Sequence, residues 1–396
     1  MVPAGATTGP SLIGNDQAVR IALAASVTGG RVGASGSWRG YENDGGRLIA
    51  RGSSDEAWSV TSSGSRVRVT RGSSSENRTS PIVVRPTEGR SFVTWNGKRY
   101  RGELVITATD SGLIVVNRLA LESYLRGVVP LEIGNRKPEE HAAVEAQAVA
   151  ARSYSYLHLA PARLYDMMAT VQDQVYGGVD AEKPVSDDAV GATEGMVLMY
   201  AGRVINTPYH STCGGSTAAV HEVWYSQPDE PYLTQVSDRI PGSDVFYCDP
   251  SPRFSWTSSF DRNSLRAVLE KYLANYTNSP RGSIGRVTGV YEQGRTESNR
   301  VTALRIDTDR GSYTLRGNDI RFVLRNPNGE ILNSTYFTAE ATVSGGDVSA
   351  LTLRGRGYGH GIGMCQWGAI GRARAGQDYR TILSTYYPGT TIGRAR

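Results

Sequence analysis

Apolar and polar residues alternate in short segments over the first part of the chain. From Gln17 to about Arg85, stretches such as VRIALAASV and SRVRVTR keep a period of two and are separated by Gly/Ser/Asn/Asp clusters, which is the pattern of half-buried strands joined by turns. Residues 72–80 (GSSSENRTS) read as a loop or linker. The run SFVTWNGKRYRGELVITATDSGLIVVN adds a hairpin at Asn96-Gly97 and two more strands. Helical spacing follows. Asn117 is placed to cap a short helix through Leu125, ended by Gly127 and Pro130. A longer helix is expected from Pro138 to about Leu159, with proline in its first turn, Glu139 and Glu140 at the positive end of its dipole, and alanines sustaining it. Val144, Gln147, Ala151 and Tyr154 share one face of that helix.

Beyond it, DQVYGG (173–178) and INTPYHSTCGGSTAAVHEVW (205–224) read as polar and aromatic site loops. After a Pro/Asp/Ser-rich stretch at 227–252, SWTSSFDRNSLRAVLEKYLANY predicts a strand and a helix, RVTALRIDTDRGSYTLRG a hairpin, and DIRFVLR another helix. From Gly355 to Gly363 glycine takes every second position, alternating with Arg356, Tyr358, His360 and Ile362. On a strand this leaves one bare face, open to a flat ligand, and puts the functional side chains on the other. It is no dinucleotide fingerprint, because the surrounding βαβ pattern is missing. Asp378 caps a last helix that stops at Pro388-Gly389, and no internal repeat is visible.

With 396 residues the chain has room for two or more domains. Abundant glycine (46) and tyrosine (21) together with β-branched runs point to a sheet-heavy α+β protein. A formal charge of +5 favours anionic partners such as cell-wall polymers. Nucleic acid is the weaker choice, since no Lys/Arg cluster is interleaved with aromatics. No apolar run is long enough to span a bilayer, and the start MVPAGATTGP has no charged and apolar leader pattern. Residues 1–16 read as a flexible tail, 17–85 as a β-rich N-terminal domain, and 86–396 as a mixed sheet-and-helix catalytic region with 225–350 as an accessory subdomain.

Several chemistries compete. Glu132 lies in the apolar run of Val128, Val129, Pro130, Leu131 and Ile133, where lost hydration penalises the charged carboxylate and prepares a general acid. His210 and Cys213 form a metal half-site, with His221 and Cys248 nearby, but no Cys-x-x-Cys completes it. The same cysteines could instead form a Cys213–Cys248 disulfide or remain buried thiols. Cys213 or Cys365 could be a nucleophile activated by His210 or His360, although no orienting residue can be assigned. Glycoside hydrolysis by two carboxylates would pair Glu132 with Glu122, Asp173 or Glu194. A single-acid mode needs Glu132 alone, with a hydroxyl of the substrate as nucleophile.

The strings LALESYLRGVVPLEI, AVEAQAVAARSYSY, QVYGG, YHSTCGGST, GRGYGHGIGMCQWGAIGRARAG and ILSTYYPGT occur in order and resemble the SpoIID/LytB family of bacterial cell-wall proteins. That resemblance implies a peptidoglycan lytic transglycosylase. Such an enzyme cleaves between N-acetylmuramic acid and N-acetylglucosamine and leaves 1,6-anhydro ends, preferably on strands stripped of stem peptides. It places the catalytic acid at Glu132. The other family positions fall on Gln147, Arg152, Tyr154, Gln174, Tyr176, Tyr209, His210, Ser211, His360, Gln366 and Trp367, which would line a substrate site. Tyr176 and Trp367 are candidates to stack on sugars. Arg152 would bind a lactyl carboxylate or pair with an acidic neighbour. Cys365 stands where the family motif has serine, which argues against a thiol nucleophile. The zinc held through His and Cys by some relatives does not map onto this chain, so no metal and no cofactor are expected. The resemblance further implies an exported envelope protein acting on glycan strands. Its alternative is a non-catalytic wall binder that stimulates an N-acetylmuramoyl-L-alanine amidase.

Overall fold

The computed structural model describes residues 17–54, 56–326 and 329–395. The expected N-terminal tail lies outside the described residues. The chain forms two compact units, one running up to residue 206 and including the segment from 392, the other spanning 207–391. The architecture is α+β and β-rich toward the N terminus.

Two large sheets make up most of the first unit. A seven-stranded sheet has the spatial order 167–168, 18–27, 112–120, 103–109, 82–86, 38–42 and 47–52. A six-stranded sheet has the order 98–100, 93–95, 29–34, 58–63, 66–71 and 74–79. Trp38 and Trp58, both fully buried, meet with ring centroids 4.4 Å apart. Gly40 admits the Trp58 ring at a place where a Cβ would lie 2.4 Å from it. The hairpin at Asn96-Gly97 forms as expected, with φ of 50° and 84° at those residues. Residues 74–79 are an exposed edge strand rather than a linker. They carry no apolar stripe, so their pairing with 66–71 left no period to read. The expected boundary at residue 85 falls within the strand Ile82–Pro86, which is hydrogen-bonded into the large sheet on both edges.

The first helix also differs from expectation. Asn117 is a strand residue in Gly112–Ala120, its amide donating to the carbonyls of Arg101 and Glu103 at 2.8 and 3.0 Å. Helix α1 (Leu121–Glu132) continues through Gly127 and Pro130. Proline near the end of a helix removes one hydrogen bond without stopping it. Gly127 is a packing residue, since a Cβ there would sit 2.6 Å from the Tyr176 ring. A 3₁₀ turn at Pro138–Glu140 leads into α2 (His141–Leu157), which packs on α1 and on α3 (Pro184–Ala192).

The second unit holds the sheets 255–261/347–356/337–344 and 287–295/301–308/311–316 with helices α5 (Arg262–Tyr272) and α6 (Asp319–Val323), around a core that includes Phe260, Leu269, Leu304 and Phe337. Helix α4 (Val220–Val223) precedes them, and α7 (Gln366–Arg374) and α8 (Tyr379–Tyr386) follow. Asp378 caps α8 as expected, accepting the Thr381 N–H at 2.8 Å. The glycine run is not a strand. The strand ends at Arg356, and Gly357, Gly359, Gly361 and Gly363 all have positive φ, between 70° and 120°. Their missing side chains make room for protein: a Cβ at Gly359 would press on His210, and one at Gly363 on the Pro208 carbonyl.

Candidate functional site

Each unit gathers part of the expected residue set. In the first, Glu132 is the last residue of α1 and is half-buried. Its Oε1 accepts the backbone N–H of Val175 at 3.0 Å, so the loop after Met167–Met168 orients the carboxyl. That loop is held by Asp173, whose Oδ2 accepts the Met168 N–H at 2.8 Å and whose Oδ1 accepts the Tyr154 hydroxyl at 3.3 Å. Tyr154 stacks on His158, centroids 3.8 Å apart. Between Asp173 and Val175, Gln174 turns inward and donates to Ser155 Oγ at 2.9 Å. Burial raises the Tyr154 and Tyr124 hydroxyls above the usual tyrosine range, and the charges of Asp173 and Glu132 push in the same direction. Glu132, Asp173 and two tyrosine hydroxyls therefore form one electrostatic neighbourhood.

Other expected residues of this unit sit deeper. Arg152 is fully buried and clamps Glu122 in a two-pronged ion pair, both contacts 2.7 Å, with a further bond to the Met196 carbonyl. Glu122 is thus the acidic neighbour that the sequence left open, and that tie removes it as the second carboxylate for Glu132. Gln147 is fully buried within α2. Tyr176 is 6% exposed, packed between Tyr100 and Tyr124, with its hydroxyl donating to Asn117 Oδ1 at 2.9 Å. Neither face of that ring is open to stack on a sugar, which corrects the sequence expectation for it.

In the second unit the strand Tyr209–His210 runs parallel to Met364–Cys365. His210 and His360 meet edge to face at 5.4 Å, and Trp224 lies 5.1 Å from His360. Hydrogen-bond partners assign the tautomers. His360 donates from Nε2 to the Tyr209 carbonyl at 2.9 Å and accepts the Ile362 N–H on Nδ1 at 3.1 Å. His210 donates from Nδ1 to the Ile362 carbonyl at 3.2 Å, and its buried Nε2 has no hydrogen-bond partner among the described residues. Burial and the nearby Arg321 and Arg300 guanidiniums push His360 down to about 3, and burial with His360 and Arg300 depresses His210 well below its usual range. Both rings are neutral at pH 7. Ser211 and Trp367 are half-buried and linked through the Trp367 N–H and Ser211 carbonyl at 3.0 Å, while Gln366 is buried at the start of α7.

Sequence reading missed Val175, Tyr124 and Trp224. A backbone N–H leaves no side-chain signal, while Tyr124 sits two residues from Glu122 in a run already singled out. The cysteines are wholly buried, which removes them as nucleophiles toward a polymer. His221 is exposed and paired with Asp229 at 2.8 Å, away from any metal half-site with His210.

The family described as "Stage II sporulation protein" matches residues 109–200, and a domain of unknown function matches 242–363. An uncharacterized protein of Brachyspira hyodysenteriae is 33% identical over 77% of this chain and 75% of its own length. The amidase enhancer of Bacillus subtilis is 32% identical over 68% of this chain, which spans only 40% of that protein. Stage II sporulation protein D of Bacillus subtilis is 29% identical over 71% of this chain and 76% of its own length.

Proposed function

We propose, from the premise that this chain belongs to the SpoIID/LytB family and has a cell-wall-related role, that it is a lytic transglycosylase of peptidoglycan glycan strands. The observation that carries this reading is the half-buried Glu132 with its carboxyl held by the Val175 N–H. In this mechanism neutral Glu132 gives its proton to the oxygen linking N-acetylmuramic acid to N-acetylglucosamine. The C1–O bond breaks, and its electron pair stays with the departing, now protonated, oxygen. The Glu132 carboxylate then takes the proton of the muramic acid 6-hydroxyl as O6 bonds to C1. The acid is regenerated, no water is consumed, and a 1,6-anhydro end results. Peptide-free strands are the proposed substrate. In the second unit the half-buried Tyr209 and Trp224 would contact sugar hydroxyls and faces, whereas His210 Nε2 is shut away from solvent and both His360 nitrogens are taken by backbone groups.

Cleavage in ¹⁸O-labelled water tests the reaction type. A transglycosylase leaves products without label, whereas a hydrolase incorporates one ¹⁸O per cut. Label would favour a two-carboxylate reading with Asp173, which shares the electrostatic neighbourhood of Glu132. The amidase enhancer among the relatives supports a second role, stimulation of a wall amidase, in an exported or envelope setting. Among the described residues no helix is long and apolar enough to cross a membrane.

A further inference from the structure

Four side chains that the proposed reaction does not use meet inside the second unit. Cys213, Asp238, Cys248 and Cys365 are all buried, and each offers a donor atom within 4.8 Å of the other three. Cys213 Sγ lies 3.5 Å from Cys248 Sγ and 3.5 Å from Asp238 Oδ2. Tetrahedral zinc with bonds of about 2.3 Å to sulfur has ligand-to-ligand edges of about 3.8 Å, so these separations already approximate such a set.

The surroundings are arranged for anionic donors. Cys365 Sγ accepts the N–H groups of Cys213 and Gly368, each at 3.2 Å. Asp238 uses Oδ1 for the Tyr386 hydroxyl (2.6 Å) and Arg372 (3.2 Å), which turns Oδ2 toward the thiols. Gly368 permits this approach, because a Cβ there would lie 2.2 Å from Oδ2. A disulfide would need the Cys213 and Cys248 sulfurs to close to about 2.0 Å, and would still leave a third thiol and a carboxylate in the same buried space.

We propose that Cys213, Asp238, Cys248 and Cys365 bind one zinc ion in a closed, four-coordinate structural site. Binding releases the three thiol protons to solvent as three Zn–S bonds and one Zn–O bond form. The ion would fasten the segments around 213, 238, 248 and 365 to one another, and with them the paired strands Tyr209–His210 and Met364–Cys365. The donor set contains no histidine.

The test is metal analysis of the reduced full chain, with readouts that do not involve glycan cleavage. The expected result is one zinc per chain. After exchange into cobalt, tetrahedral visible bands and thiolate-to-cobalt charge transfer should appear. Cys248→Ser should lower the charge-transfer intensity by roughly a third and weaken zinc at least about tenfold, while Asp238→Asn weakens zinc but keeps that intensity. Wild-type protein that takes up no zinc or cobalt when reduced, or that carries a Cys213–Cys248 disulfide in peptide maps, would overturn the proposal. The wild-type readout decides the matter even where a variant does not fold.

Discussion

The backbone N–H of Val175 donates to Oε1 of Glu132 across 3.0 Å, so the orientation of this carboxyl depends on a loop distant from it in the chain. Asp173 ties the same loop to Met168 and Tyr154. Asp173→Ala should therefore release the loop and lower the cleavage rate about 10- to 100-fold, the scale of a misplaced catalytic group. Kinetics on peptide-free strands, with thermal melting as the folding control, check this. Full activity in a folded Asp173→Ala protein would show that the loop does not position Glu132.

Arg152 and Glu122 make a buried ion pair. Removing one partner of such a pair costs about 3–5 kcal/mol, because the other is left charged and uncompensated. Urea unfolding of Arg152→Ala should show a loss of that size. Unchanged stability with weakened glycan binding would instead restore Arg152 as a ligand-binding residue.

Acid should weaken the second unit through its histidines. His360 is depressed to about 3 and His210 also lies below its usual value, whereas in the unfolded chain each titrates near 6.5. Below that pH the unfolded state binds more protons. The stability tied to neutral rings is therefore complete above about 6.5 and is lost as pH falls toward 3, by up to about 1.4 kcal/mol per pH unit for each ring. His360→Gln, which keeps a donor for the Tyr209 carbonyl, should flatten the stability profile between pH 6.5 and 4. An unchanged slope would mean that His360 is protonated in the fold.

Tyr176 packs against Tyr124 and donates to Asn117. Tyr176→Phe leaves the Asn117 oxygen without that donor and should cost about 1–3 kcal/mol while sparing glycan affinity. Calorimetry and a glycan pull-down separate the two effects. Lost affinity at full stability would make Tyr176 a sugar contact.

Local chemistry was legible in this sequence: alternation in 18–27, the Asn96-Gly97 turn and the Asp378 cap all appear where read. Misreadings arose where tertiary packing governs the residue. Asn117 looks like a cap but serves a strand and a tyrosine. Gly127 looks like a stop but makes room for Tyr176. The glycine run has a strand's period yet adopts left-handed turns against His210 and Pro208. Glu132 stood out through its apolar neighbours, whereas the group that orients it is a backbone N–H. Cys213 and Cys248 read as candidate partners in the sequence, but Asp238 and the approach of Cys365 to them were not legible, because the contacting positions lie 25, 35 and 152 apart with no short motif between them.

The most direct test of the account is mass spectrometry of products from purified, peptide-free glycan strands, wild type beside Glu132→Gln. The account predicts 1,6-anhydro ends from the wild type and none from the variant. Anhydro ends persisting after Glu132→Gln, or reducing ends from the wild type, would contradict it.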